Sequence, residues 1–223
     1  AQGNVLGPIK AATDIIRDVR DILREAIDYS GLESASHQYF LEHFNPIFNR
    51  IAVGPPKLRN EQLLALMNAG IVRLAGGKNA KLILNDKVGK FEVHSTFKEA
   101  SSEIQADVLI KAKIAHFSPL HDTSPLMRNI TASGIVRPFM NGSYHPGGLD
   151  IDVHQHPLNR LGESQRSIWI LGNPAEGANF YTYVLPRPFV NSRFLVDAGR
   201  CVGDMYQQIQ RSQVQSEVAI NAD

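Results

Sequence analysis

The chain has 223 residues, of which 43% are hydrophobic and 20% charged, and its formal net charge is +1. That balance is ordinary for a soluble globular fold; it gives no basic surface for nucleic acid or acidic lipid, and no apolar run approaches the ~20 residues of a membrane span. A single cysteine, Cys201, excludes an internal disulfide framework and fits a reducing compartment such as the cytoplasm. No secretory signal pattern stands at the start. The chain begins with Ala1 rather than Met, as expected of a processed or excised piece.

Residues 8–29 read as the clearest helix. Ile15, Ile16, Val19, Ile22, Leu23, Ala26 and Ile27 recur at spacings of three and four, which makes one stripe apolar. Pro8 suits its first turn and Gly31 its stop. A second helix is expected over Ser34 to Phe44, with Pro46 ending or kinking it. The apolar and aromatic run from Ile47 to Val53 is broken by Gly54-Pro55-Pro56. Asn60 is the expected N-cap of a short helix carrying Leu63, Leu64, Leu66 and Met67, stopped at Gly70. The period then changes to two. Ile71 to Leu74, Lys81 to Leu84 and Phe91 to Ser95 read as strands of a small antiparallel meander, with turns at Gly76-Gly77 and Asn85 to Gly89.

Ala106 to Ile114 reads as a further strand, because Val108, Ile110, Ala112 and Ile114 alternate with Asp107, Lys111 and Lys113. Leu109 interrupts the alternation and suggests burial on both faces there. Ser124 to Ser133 reads as a short helix stopped at Gly134. An extended segment from Ile135 to Met140 follows, then a Gly-rich turn from Asn141 to Gly148 and an alternating stretch from Leu149 to Val153. Ile168 to Leu171 reads as a buried strand that stops at Gly172-Asn173-Pro174. A long polar and aromatic loop leads to the last helix, from about Ser192, with Phe194, Ala198, Cys201, Val202, Met205 and Ile209 on one stripe. Beyond Gln210 the chain is polar and expected to fray. The even spread of charged and apolar residues points to one unit, with a helical lead-in (1–56), an α/β part (57–210) and a tail (211–223).

Three groups of residues could carry chemistry. On a strand, Asp150, Asp152, His154 and His156 share one face, and two histidines with two carboxylates could bind zinc or iron(II); the alternative is the solvent face of an edge strand, with no metal. His116, His121 and Asp122 lie in the loop after the expected 106–114 strand, where a His beside an Asp can act as a general base. No Gly-x-Ser-x-Gly elbow accompanies them, and Cys201 sits on the apolar stripe of a helix as an inert packed thiol does. The loop from Asn173 to Asn191, with Glu176, Asn179, Tyr181, Thr182, Tyr183 and Arg187, joins a strand end to a helix N-terminus. Free backbone N–H groups and a partial positive charge at such a terminus can face a phosphate, a carbonyl or a ring building negative charge. Loops this long are uncommon in compact domains unless they serve a function. Neither a Gly-x-Gly-x-x-Gly motif nor a P-loop occurs anywhere in the chain.

The order ADVLIKAKI, GIVRPF, GGLDIDV, SIWILGNPAEG and NSRFLVDAGRCVGDMY resembles the C-terminal half of FAD/NAD(P)-binding flavoproteins. The stretch FNRIAVGPPKLRNEQLLALMNAGIVRLAGG, followed by GKFEV, is similar more narrowly to a bacterial group of FAD-NAD(P)-binding proteins distantly related to the N-hydroxylating monooxygenases. The resemblance covers about Phe44 to Tyr206. It implies an α/β, Rossmann-like flavoprotein fold and an FAD-dependent, NAD(P)H-using oxidoreductase acting on a small-molecule substrate, with no nucleic-acid or membrane partner and with room for a homo-oligomer. It also implies cofactor-binding residues. Gly172 and Asn173 match the Gly-Asp pair that meets the ribityl and pyrophosphate region, with Asn173 replacing the usual Asp. Tyr181, Thr182, Asn191 and Ser192 match the stretch near the isoalloxazine ring. Ala112-Lys113-Ile114 stands where Ala-Thr-Gly is expected. The Gly-rich first βαβ unit that holds the FAD pyrophosphate is missing, so the N-terminal FAD-binding half is the expected partner and this piece alone is expected to be inactive. The alternative of another class is a non-catalytic interaction or regulatory module on the same scaffold.

Overall fold

The computed structural model describes residues 7–52, 54–74, 76, 80–97, 100–112, 116–182, 189 and 192–220. They divide into two compact units, one within Gly54–Ala115 and the other within Asn4–Val53 and His116–Asp223. Among the described residues no helix is long and apolar enough to cross a membrane.

Among its described residues the unit within 54–115 has one helix and one sheet. Helix α5 (Lys57–Asn68) starts at Pro56, not at Asn60. The proline's fixed φ sets the turn and its carbonyl accepts the Arg59 and Asn60 amides. The stretch expected as a strand at 71–74 closes this helix instead: the Ile71 and Val72 amides both bond to the Leu66 carbonyl at 3.0 and 3.2 Å. Strands β1 (Lys81–Asn85), β2 (Lys90–Phe97) and β3 (Ala100–Ala106) form an antiparallel meander in chain order. Lys81 faces His94 and Asn85 faces Lys90 across the first ladder; Phe91 faces Ala106 and Phe97 faces Ala100 across the second. Glu92 is buried on β2, where it accepts hydrogen bonds from Asn85 at 2.7 Å and Gln105 at 3.3 Å.

The expected strand from Ala106 to Ile114 is a correction. The ladder ends at Ala106, opposite Phe91, and β2 has only Lys90 left beyond that pair. Residues 107–112 therefore have no partner strand among the described residues and run in irregular, exposed conformation. Leu109 is exposed too, not buried on both faces. Lys113 and Ile114 lie outside the described residues.

In the other unit the predicted 8–29 helix is two helices, α1 (Pro8–Asp18) and α2 (Arg20–Ile27), joined at Val19 (ψ 3°). The Val19 and Leu23 amides still bond four residues back, so the break is a kink. The chain then turns through Asp28–Ser30, with Tyr29 and Ser30 both left-handed (φ 54° and 65°). A side chain at Gly31 would run into the Ala26 carbonyl, so glycine is required at this stop. Helices α3 (Ser34–Tyr39) and α4 (Asn45–Ala52) are joined by a single wide π turn at Phe40–Phe44. Pro46 thus does not end the run; the widened turn before it makes room for its ring and its missing N–H.

Helix α6 (Pro125–Ala132) begins as predicted, with the Ser124 hydroxyl accepting the Met127 amide. Residues 133–182 are irregular, held by short bridges such as Pro138 with Leu149 and Ile151 with Pro157. Ile168–Leu171 is half-buried and is not a strand, a second correction. Helix α7 (Arg193–Ile220) passes Gln210 without a break. Two apolar clusters hold the unit. Ile27, Phe48, Phe180 and Tyr181 form one, with Ile16, Leu23, Leu32 and Phe40 around them; Phe139, Ile151, Ala175 and Ala178 form the other. Each side chain of this size buried completely is worth roughly 1.5–3 kcal/mol.

Candidate functional site

The loop after Gly172 is folded back on itself and locked. Gly172 takes φ 71° and ψ −139°, and Pro174 starts a short 3₁₀ turn at Asn173–Ala175. The turn seats on the Gly147-Gly148 segment: the Leu149 amide bonds to the Pro174 carbonyl at 2.8 Å. The two backbones nearly touch. A side chain at Gly148 would meet the Glu176 carbonyl, and one at Gly177 would meet the Gly147 carbonyl. The glycines in GGLDIDV and NPAEG therefore serve one close approach.

Glu176 points inward and organises the rest of the loop. Its carboxylate accepts the Tyr181 amide at 2.9 Å, and the Thr182 amide and hydroxyl at 2.6 Å each. Burial pushes the Glu176 carboxyl above its ordinary value despite these donors. Asp28, at the end of α2, accepts the Phe180 amide at 2.7 Å and Arg193 at 3.0 Å. Burial also raises Asp28, against the pull of Phe180, Arg193 and Arg24. Arg24 caps the same strand of chain from the other side, donating to the Phe180 carbonyl at 3.3 Å and the Tyr181 carbonyl at 2.9 Å.

Arg193 ties the first turn of α7 to this loop. Its guanidinium grips Asp197 through Nε at 2.7 and 2.8 Å, Asp28 through Nη1 at 3.0 Å, and Asn179 through Nη2 at 3.2 Å. Burial works against its charge, but Asp197 and Asp28 more than offset that and hold it protonated. A planar donor fork with several carboxylate and amide acceptors is the arrangement arginine suits best. The result is a rigid junction of α2, the 172–182 loop and the N-terminus of α7.

The residues expected to meet a cofactor are placed unequally on this junction. Gly172 opens onto space, since a Cβ built there meets nothing within 4 Å. Asn173 is exposed. Ser192 is buried just before α7, and its hydroxyl has no hydrogen-bond partner among the described residues. Tyr181 is in the core, left-handed (φ 61°) and 4% exposed, with its ring 5.4 Å from Phe48 and under the Arg20 and Arg24 guanidinium groups. Thr182 is taken up by Glu176. Asn191, with Tyr183 and Arg187, lies outside the described residues.

The Asp150/Asp152/His154/His156 row is a correction. Gln155 is left-handed (φ 70°), so a turn at 153–155 destroys the common face. Asp150 pairs with Arg137 at 2.6 Å, and Asp152 accepts the His154 and His156 amides and the Ser164 hydroxyl. His156 turns to Asp204 on α7 at 3.0 Å. Among the described residues no group of three or more His, Cys, Asp or Glu could hold a metal ion. Asp122 accepts the Ser124 amide at 2.7 Å, next to the start of α6. Cys201 is buried and free, and burial raises its thiol.

Sequence reasoning found the Gly172 loop and the start of α7 but missed what joins them. The partners Arg24–Tyr181 and Asp28–Arg193 lie more than 150 residues apart in the chain. Only the Arg193-to-Asp197 spacing of four was legible as a pair.

No family model matches the chain. It is 32% identical over 197 residues to a nitrosuccinic acid synthase of Aspergillus oryzae, covering 87% of this chain and 30% of that protein. It is 32% identical over 206 residues to an L-aspartate N-monooxygenase (nitrosuccinate-forming) of Streptomyces davaonensis, and 30% identical over 204 residues to one of Streptomyces cremeus. Those matches cover 88% of this chain and 31% and 30% of the relatives. The chain is therefore homologous, over most of its own length and less than a third of theirs, to N-monooxygenases of L-aspartate.

Proposed function

We propose that this chain is the C-terminal part of a flavin-dependent N-monooxygenase that oxidises the amino group of a small amino acid, L-aspartate being the first candidate. The similarity to aspartate N-monooxygenases along 87–88% of the chain carries the reading. The remaining elements of an α/β, Rossmann-like FAD/NAD(P)-binding fold, including the Gly-rich pyrophosphate turn, would come from an N-terminal half. On this reading the piece alone is inactive, and NAD(P)H is the reductant.

The residues present suit one wall of a flavin site. Gly172 leaves its backbone open to close approach, Asn173 offers an exposed amide, and the buried Ser192 hydroxyl has no hydrogen-bond partner among the described residues. A bound flavin would supply the redox chemistry, accepting two electrons from the nicotinamide and activating oxygen for insertion into an N–H bond. This chain's share is positioning and electrostatics. Arg193 fixes the start of α7 against the loop, and the partial positive charge of that helix N-terminus would then be available to a bound group. Glu176 and Arg24 hold residues 180–182 from inside, and Tyr181 supports the wall from the core. Small-molecule selection would rest on groups outside this set.

A second reading, an interaction module without chemistry, draws on the internal commitment of Tyr181 and Thr182 and on Asn173 in place of a carboxylate. One assay separates the two. With the protein prepared at the length of its relatives, L-aspartate is expected to stimulate NAD(P)H oxidation with formation of an N-oxidised product. Flavin retained without any substrate-dependent oxidation of NADH or NADPH would favour the module.

A further inference from the structure

The π turn at Phe40–Phe44 brings two polar side chains to one face of the α3–α4 run. His37 and Asn45 flank that turn, eight positions apart. At about 100° per residue an unbroken α-helix would set them about 80° apart around its axis. A single π turn takes up one extra residue, so the pair stands as residues two turns apart do, within about 20° of one line. Both are buried, at 1% and 5% exposure.

Both line a small cavity whose other side is formed by Glu176, Asn179 and Phe180 of the loop. Its volume is about 20 Å³, room for one water-sized molecule. The polar groups on the loop side are already engaged. The Glu176 carboxylate holds Tyr181 and Thr182, and the Asn179 amide holds Gln155 and Arg193. On the helix side, the Asn45 Oδ1 is a buried acceptor with no partner among the described residues. The tautomer of His37 follows from Asn141. A carbonyl can only accept, so the Asn141 atom 2.8 Å from the Leu32 carbonyl is the amide nitrogen, and its second hydrogen goes to His37 Nδ1 at 3.1 Å. Nδ1 therefore accepts and Nε2 carries the proton. Burial lowers the pKa of this ring, which suits the neutral form. The Nε2–H has no hydrogen-bond partner among the described residues.

We infer that the cavity is a binding site for one water molecule, which accepts from His37 Nε2 and donates to Asn45 Oδ1, and that the π turn is what builds the site. A space that admits one molecule puts both groups in reach of the same one. The occupant must accept from one group and donate to the other. A metal or ammonium ion cannot accept from an N–H, and an apolar molecule satisfies neither group. The water joins α3 and α4 to the back of the 176–180 loop. The inference goes beyond the flavin reading and does not depend on it.

A crystal structure of the protein at the length of its relatives, at a resolution that shows ordered water, reads the site directly. The expected result is one peak within hydrogen-bond distance of both His37 Nε2 and Asn45 Oδ1, unchanged when the crystal is pressurised with xenon. An empty cavity, or one that takes up xenon, is dry and would overturn the inference; so would a metal ion in the peak's place. Asn45→Leu tests it in solution, because it removes the acceptor and introduces a better helix former. With the water displaced, the His37 N–H is left buried and unpaired, and the folding equilibrium constant is expected to fall about tenfold or more. A variant as stable as the parent, or more so, would contradict the site, since in a dry cavity leucine only adds apolar contact. Neither readout involves flavin, so the enzymatic reading stands or falls separately.

Discussion

The β2–β3 hairpin and the segment 107–112 follow one another in the chain and carry similar strand-like sequence, yet only the first is a sheet. In the hairpin every residue from Phe91 to Phe97 has an opposite number between Ala100 and Ala106. Beyond Ala106 the alternation of Val108 and Ile110 continues, but no neighbouring strand does among the described residues, and these side chains are 72% and 81% exposed. Ile168–Leu171 in the other unit repeats the lesson: its apolar run lies half-buried without a ladder among the described residues. Alternating hydrophobicity states a demand for a neighbour; only local chain supplies one here.

The largest expected effects lie where the loop is supported from the core, and they should spare the meander. Phe48 is fully buried against Phe180 and Tyr181. Phe48→Ala is expected to cost about 3–5 kcal/mol in urea unfolding followed through residues 172–182, while amide protection in β1–β3 stays as it is. Loss of both together would break the contrast between a self-sufficient sheet and a dependent loop. Next comes Glu176→Ala, which strands the Tyr181 and Thr182 amides and the Thr182 hydroxyl. A loss of about 2–4 kcal/mol is expected, since each buried donor left unpaired costs roughly 1–3 kcal/mol with partial relaxation toward water.

A smaller effect follows from pH. Burial raises both Asp28 and Glu176 above the ordinary carboxylate values of 3.8 and 4.5. For acids raised in the folded state, the stabilising contribution is complete below the unfolded values and is lost as pH climbs through the folded ones. Unfolding free energy measured from pH 4 to pH 7 should therefore carry a declining component from these two groups, and Glu176→Gln should flatten it. A component rising with pH that vanishes in the same variant would show the sign to be wrong. Smallest of all is Ile110→Lys: with its side chain in solvent the change is expected to stay within about 0.5 kcal/mol. A large loss would mean that 107–112 has a neighbour in this chain after all.

Much of the helical fold was legible because its signals are local. Ser124 and Gly134 bracket α6, and the apolar stripe from Phe194 to Ile209 announces α7. The breaks were less so. The helices on either side of the kink at Val19, and Phe40 in the π turn, pack against Phe180 and Tyr181, contacts that no window of sequence contains. The same holds for the site. Gly172-Asn173-Pro174 declares a turn, whereas the clamp of Arg24, Asp28 and Arg193 on the loop arises only when the chain's two ends meet. The row of Asp150, Asp152, His154 and His156 misled because one left-handed residue, Gln155, suffices to scatter an alternating set.

The central claim is that Gly172, Asn173 and the Ser192 end of α7 form a flavin-binding wall. The absorption spectrum of the purified relative-length protein, compared with that of a variant with bulk at the exposed Asn173, Asn173→Leu, tests it most directly. The account predicts a flavin-containing protein and a variant that keeps its fold by circular dichroism but loses most of the flavin. A colourless protein that takes up no FAD on reconstitution, or a variant with undiminished flavin, would contradict it.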